Sequence, residues 1–252
     1  MGKLDDRVAI VTGGSRGIGY SIADELIREG ARVMITGRNA DSLASAAAVL
    51  GPAAATFVGE AGDRASAREC IAEVMRRFGR IDILVNNAAR DIQSGPTMAM
   101  PLDDFTSTYE VNVFAPLHWT QLAWQAHMEK NGGVVLNVAS LGAISLQPNM
   151  GAYLSSKAAL LHLTRILAAE LGPRVRVNAL APGLIKTEMS SSAWLNNEER
   201  FAGNLPLERL GEAEDVARAA LFLITDDSSW VTGETLVIDG GALIQWGKPR
   251  KR

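Results

Sequence analysis

The chain of 252 residues has one cysteine, Cys70. That excludes an internal disulfide and any thiolate cluster for a metal. Histidine is nearly as scarce: His118, His127 and His162 are the only three, and their spacing matches no metal-ligand motif. No metal is expected. Neither sign of charge is in excess, with 25 basic against 28 acidic residues and a formal net charge of −3. This balance offers nothing to nucleic acid or to an anionic membrane, and the basic run at 248–252 reads as a solvated end. No apolar run approaches the length of a transmembrane helix. The opening Met-Gly-Lys-Leu-Asp-Asp-Arg has no long apolar stretch behind its charges and does not read as a signal peptide. A cytoplasmic protein is expected.

What is present is an apolar share of 47% with 21% charged residues, which suits one large α/β domain over 1–252. The chain is organised around Val8-Ala9-Ile10-Val11-Thr12-Gly13-Gly14-Ser15-Arg16-Gly17-Ile18-Gly19. An apolar strand runs through a glycine-rich turn into a helix with apolar residues at helical spacing. A dinucleotide-binding βα unit needs those three parts. Gly13 suits a φ closed to other residues, while Gly17 and Gly19 allow close approach to a pyrophosphate. The unpaired N–H groups at the new helix start favour an anion.

Strand-like runs then alternate with helical patterns. Strands are expected at 7–12, 31–36, 55–58, 81–86, 133–139, 174–180 and 235–238. Helices are expected at 17–29, 39–50, 64–78 (with Asp63 as N-cap), about 101–129, 152–171 and 213–225. Pro116 implies a bend or a junction within the fourth helix. Residues 184–209 lack a clean period and read as a short helical insertion or substrate lid. Crossovers of this length imply a parallel sheet covered on both faces, with a crevice at the carboxyl ends of its strands. The glycine turn, Asn86–Ala89, Ser140 and Pro182-Gly183 all fall at such ends.

Tyr153 and Lys157 lie four apart in an expected helix and share a face. An ammonium beside a phenol favours phenolate, which suits proton transfer near neutral pH. Taken singly, such a pair also suits an amphipathic surface, and Ser140 a simple turn. Taken with Asn112, Asn86-Asn-Ala-Ala89, Tyr153-Leu-Ser-Ser-Lys157, Asn178, Pro182-Gly183 and Asp239-Gly-Gly241, the chain resembles the short-chain dehydrogenase/reductase family over nearly its whole length. Within that family it resembles the 3-oxoacyl-acyl-carrier-protein reductase-like branch. The one departure is Ala89, where relatives usually carry glycine.

The resemblance implies a single-domain Rossmann fold, doubly wound around a mainly seven-stranded parallel sheet. It implies hydride exchange between a nicotinamide and a carbonyl carbon. Tyr153 would pass the proton, Ser140 would bond the carbonyl oxygen, Lys157 would hold the ribose and lower the tyrosine pKa, and Asn112 would keep an irregular helix turn. The cofactor would lie against Gly13, Ser15, Arg16, Gly17, Ile18, Gly19, Arg38, Glu60, Ala61, Asn87, Ala88, Ala89, Tyr153, Lys157, Pro182, Gly183, Ile185 and Thr187. No acid stands at the end of the second strand, where one would hold the ribose hydroxyls of NAD. Arg38, with Arg16 closing from the other side, favours the 2′-phosphate of NADP(H), and NAD(H) is the alternative.

The expected partner is a small carbonyl or alcohol substrate in an apolar pocket built from 90–100, 141–150 and 184–209. A homotetramer is expected, with a homodimer as the alternative. An NAD-dependent alcohol or sugar dehydrogenase, or a non-catalytic cofactor-binding regulator, are the competing readings.

Overall fold

The computed structural model describes residues 2–90 and 95–244. Residues 91–94 of the expected pocket wall and the basic run at 248–252 lie outside the described residues. Seven strands form one parallel sheet: β1 (Val8–Thr12), β2 (Arg32–Gly37), β3 (Ala54–Val58), β4 (Ile83–Asn86), β5 (Gly133–Val138), β6 (Val175–Pro182) and β7 (Thr235–Ile238). Their spatial order is β3-β2-β1-β4-β5-β6-β7, and every pairing is parallel. The chain reverses direction across the sheet between β1 and β4. A crevice therefore opens at their carboxyl ends, where the expected turns converge.

The crossovers are α1 (Gly17–Arg28), α2 (Ala40–Leu50), α3 (Arg64–Phe78), α4 (Leu102–Tyr109), α5 (Ala115–Ala123), α6 (Glu129–Asn131) and α7 (Gly151–Leu171). Two short helices, α8 (Ser191–Trp194) and α9 (Glu198–Ala202), lie in the 184–209 segment ahead of α10 (Ala213–Ile224). Local chemistry sets several boundaries. The Asp63 carboxylate accepts from Ala65 N at 3.0 Å and Ser66 N at 3.3 Å to start α3, and Gly79 ends it in the left-handed region at φ 73°. Asn39 starts α2 by accepting from Ser42 N at 2.7 Å.

The strands alternate between two cores. Ala9 and Val11 of β1 pack with Leu26 and Val216 under α1 and α10. Val8 and Ile10 face Cys70, Trp119 and Leu167 under α3, α5 and α7. Burial on both faces explains the unbroken apolar run of β1 and the apolar Ile-Leu-Val of β4. β7 is only half-buried, as befits an edge strand.

The fourth crossover departs from expectation. The helix from Leu102 widens into a π turn at Glu110–Phe114, ahead of Pro116, and again at Trp124–Met128. Pro116 lies in the first turn of α5 and has no N–H to give the carbonyl of residue 112. The break therefore begins on Asn112 itself. Other boundaries differ from expectation by one or two residues, as helix and strand ends commonly do.

Candidate active site

The glycine turn is packed against the segment after β4. Thr12 Oγ1 accepts from Asn87 N at 3.0 Å and Ala88 N at 3.1 Å, while Asn87 Nδ2 donates to Thr12 O at 2.9 Å and Gly13 O at 3.1 Å. Gly13 holds φ +65°, and a Cβ there would meet Ala88 Cα at 3.0 Å. A Cβ on Gly19 would stand 2.4 Å from Asn87 Nδ2. Only glycine fits at these two positions. No side chain caps the start of α1, and its first turn contains no acid. Among the described residues no side chain takes up its leading N–H groups, which are free to meet an anion. This cradle fits the pyrophosphate of a dinucleotide.

Ser140, two residues past β5, opens a short 3₁₀ turn at Leu141–Ala143. Its Oγ accepts from Gly142 N at 3.1 Å, which leaves the hydroxyl proton available to an oxygen in the crevice. Tyr153 and Lys157 lie one turn apart near the start of α7, with Lys157 Nζ 5.8 Å from the Tyr153 ring centroid. Lys157 is 2% exposed, and its Nζ donates to Val138 O at 2.8 Å. Burial lowers its pKa to about 8. Asn112, fully buried in the π turn, accepts from Arg90 N at 2.8 Å. Its Nδ2 donates to Arg90 O and to Ser156 Oγ, both at 3.0 Å. Ser156 Oγ in turn donates to Tyr153 O at 2.7 Å. Asn112 therefore ties the end of β4 to the helix that carries Tyr153 and Lys157.

Pro182, Gly183 and Ile185 close the far side of the crevice, where a Cβ on Gly183 would press on Asp239 Cα at 2.9 Å. Asp239 itself caps the turn after β7, accepting from Gly241 N and Leu243 N at 2.8 Å each. Thr187, expected to offer a hydroxyl to the cofactor, has its Oγ1 3.1 Å from Ser190 Oγ. Arg38 is exposed just past β2, with no hydrogen-bond or ion-pair partner among the described residues. Ser15 lies beside Gly37: a Cβ on Gly37 would be 3.5 Å from Ser15 Oγ. Arg16 Nη1 pairs with Glu188 Oε2 of the 184–209 segment at 2.7 Å, and both side chains are exposed. Glu60 and Ala61 follow β3 at the same end of the sheet, and Ala61 O accepts from Trp119 Nε1 at 3.0 Å. Among the described residues, His118 Nε2 and His127 Nε2 are buried without a hydrogen-bond partner, and no group of three metal-binding side chains occurs.

Two parts of the site escaped the sequence reading. Ser156 completes the link from Asn112 to Tyr153, yet nothing in a Ser-Ser pair inside a helix marks it. Beneath the site, Asn86 Nδ2 donates to Asn137 Oδ1 at 2.9 Å, and Asn137 Nδ2 to Thr164 Oγ1 at 2.9 Å. This buried ladder fixes β4, β5 and α7 to one another. The polar residues that interrupt otherwise apolar strands were its only signal.

Comparison with known proteins agrees with this geometry. A family profile described as Enoyl-(Acyl carrier protein) reductase matches residues 13–242. The human "Dehydrogenase/reductase SDR family member 4" is 39% identical over 94% of this chain and 88% of its own length. The 7alpha-hydroxysteroid dehydrogenase of Escherichia coli K12 is 38% identical over 96% of each chain. A solved 7alpha-hydroxysteroid dehydrogenase, complexed with NADH and 7-oxo glycochenodeoxycholic acid, superposes with a TM-score of 0.89 at 37% identity, covering 94% of each chain. With the Ser140, Tyr153 and Lys157 set at the strand ends and these matches across nearly its full length, the chain belongs to the short-chain dehydrogenase/reductase family, NAD(P)(H)-binding oxidoreductases that act on alcohol and carbonyl groups.

Proposed function

We propose that the protein is an NADP(H)-dependent oxidoreductase interconverting a ketone and a secondary alcohol on an apolar or acyl-type substrate. The observation that carries this reading is the buried Lys157 ammonium, held by Val138 O beside the Tyr153 ring at the mouth of the crevice. When bound, the nicotinamide supplies or accepts the hydride. In the reductive direction Tyr153 Oη gives its proton to the oxygen that gains charge. Ser140 Oγ–H donates to that same oxygen, since its lone pair already faces Gly142 N. Lys157 has two further N–H bonds for ribose hydroxyls, and its charge favours the tyrosinate left after proton transfer. Asn112 keeps α7 in register with β4. Replacing Tyr153 with Phe tests the chemistry: dinucleotide binding should persist while kcat falls by about 10²–10⁴-fold, the usual worth of a positioned acid. An unchanged rate would refute it.

The apolar substrate side is supported by exposed apolar side chains on the segments expected to wall the pocket, among them Met98, Ile144, Leu146 and Met189. NADP(H) is supported by Arg38 and by the lack of an acid at the end of β2. Arg16, engaged with Glu188, favours the rival NAD(H) reading, because it leaves one arginine to meet a 2′-phosphate. Titrating the protein with NADPH and NADH decides between them. We further propose a homotetramer. Exposed Phe222 and Trp230 near the sheet edge, and Phe114 and Ile166 on the helices, supply two apolar faces. Light scattering should give a mass of four chains.

A further inference from the structure

The wall of the crevice that begins at residue 90 is tied at both ends to α7, the helix that carries Tyr153. At its start, fully buried Asn112 takes both backbone groups of Arg90. Arg90 N donates to Asn112 Oδ1 at 2.8 Å, and Asn112 Nδ2 donates to Arg90 O at 3.0 Å. The same Nδ2 reaches Ser156 Oγ on α7. Farther along, Gly95 N donates to Asn149 O at 2.8 Å. Gly151, the first residue of α7, lies so near Thr97 that a Cβ there would stand 2.4 Å from Thr97 Oγ1. The wall therefore returns to the helix start two residues ahead of Tyr153.

With its N–H and C=O both taken, Arg90 has only its side chain to offer. That side chain is exposed, and its guanidinium has no hydrogen-bond, ion-pair or ring partner among the described residues. Residues 95–100 and 141–150 hold no charged side chain. In 184–209, Lys186 is engaged by Glu198 and Glu212, and Arg209 by Asp215. Arg200, the remaining cation of that segment, is on α9, whereas Arg90 is joined through Asn112 and Ser156 to Tyr153 O. Met98, Ile144, Leu146 and Met189, on the same three walls, expose apolar side chains. An unpaired guanidinium on apolar walls is complementary to a molecule with an apolar body and an anionic end.

We infer that Arg90 is a specificity-determining residue, and that the substrate is an apolar ketone or secondary alcohol carrying a carboxylate. This rests on reading the crevice as a carbonyl-reducing site. The parallel donors of a guanidinium match the two oxygens of a carboxylate. Asn112 already holds the backbone of Arg90, so only the side chain has to be ordered on binding. A contact remote from the reacting carbon acts alike on ground state and transition state, and therefore on KM more than on kcat.

The test uses keto acids, with the carbonyl at successive distances from the carboxylate, and their methyl esters. Each is assayed with wild type, Arg90→Gln and Arg90→Lys. Calorimetry measures binding of decanoate and of decanamide to the same proteins with cofactor present. Wild type should favour the best acid over its ester in kcat/KM by about 3–10-fold, between the worth of an exposed ion pair and that of a charge-assisted hydrogen bond. High salt should shrink this ratio. Arg90→Gln should bring the ratio near one, chiefly through KM, and Arg90→Lys should recover part of it by restoring the charge without the fork. The preference for decanoate over decanamide should follow the same order. The inference is overturned if wild type treats acid and ester alike. It is equally overturned if Arg90→Gln lowers both together and leaves their ratio intact, the mark of a merely structural role. Should wild type reduce neither acid nor ester, the proposed ketone chemistry fails on these compounds and calorimetry still judges Arg90. A decanoate preference that is absent, or that survives Arg90→Gln, overturns its role.

Discussion

At the scale of single residues, Lys157 shows how a site is bought with stability. Its ammonium is buried, and burial lowers its pKa from 10.5 to about 8. A base depressed in the folded state destabilises the fold wherever the buried charge must form. That penalty is fully present below about pH 8 and fades as pH rises toward 10.5. Lys157→Met, which keeps the volume and removes the charge, should therefore abolish turnover while raising the melting temperature at pH 7, by about 2–5 °C for a chain of this size. A thermal shift assay reads the stability change. Ser140→Ala belongs to the same scale. It removes one donor to the reacting oxygen, so kcat should fall by about 10²–10³-fold, with the melting temperature nearly unchanged.

At the scale of elements, the helices divide by what their signals depend on. The capping of α3 by Asp63 was legible, because cap and helix lie within four residues of each other. So were the glycine turn and the helical spacing of Tyr153 and Lys157, again local patterns. The π turn at Glu110–Phe114 was legible only through the family resemblance, which marked Asn112 as the keeper of an irregular helix turn. Pro116 denies the carbonyl of residue 112 its N–H, and the contacts that hold the turn, from Asn112 to Arg90 and Ser156, stand 22 and 44 residues away. The Asn86–Asn137–Thr164 ladder is also a long-range feature. Asn137→Ala would strip partners from both neighbours inside the core and should cost about 1–3 kcal/mol of unfolding free energy in urea denaturation. It should also lower activity, since Val138, the next residue, holds Lys157.

At the scale of the whole molecule, chemistry and anchoring are at opposite ends of the sheet. The site gathers at the carboxyl ends of the strands. At the amino ends, buried Asp82 accepts from Val8 N at 2.9 Å, from Arg80 at 2.7 and 2.6 Å, and from Arg7 at 3.2 Å. Burial alone would push its pKa up. The Arg80 hydrogen bonds, Val8 N–H and Arg7 outweigh that, and the net direction is down. A depressed carboxylate contributes stability that is present above its unfolded pKa of about 3.9 and is lost as pH falls through the folded value. Asp82→Asn should therefore be less stable than wild type at pH 7, and the gap should narrow below pH 4 when urea midpoints are compared. Cofactor affinity at pH 7 should be unaffected.

The strand order has a further bearing on biosynthesis. β1 leaves the ribosome well before one of its two neighbours, β4, which begins at Ile83. Until then β1, β2 and β3 can pair, but a bare flank of Ala9, Ile10 and Val11 faces outward, open to the same flank on another nascent chain. Fragments that stop before residue 81 should precipitate, whereas the chain carried through β7, which leaves no central strand bare, should stay dispersed; the wait for the fourth strand is the first hazardous interval in the life of this polypeptide.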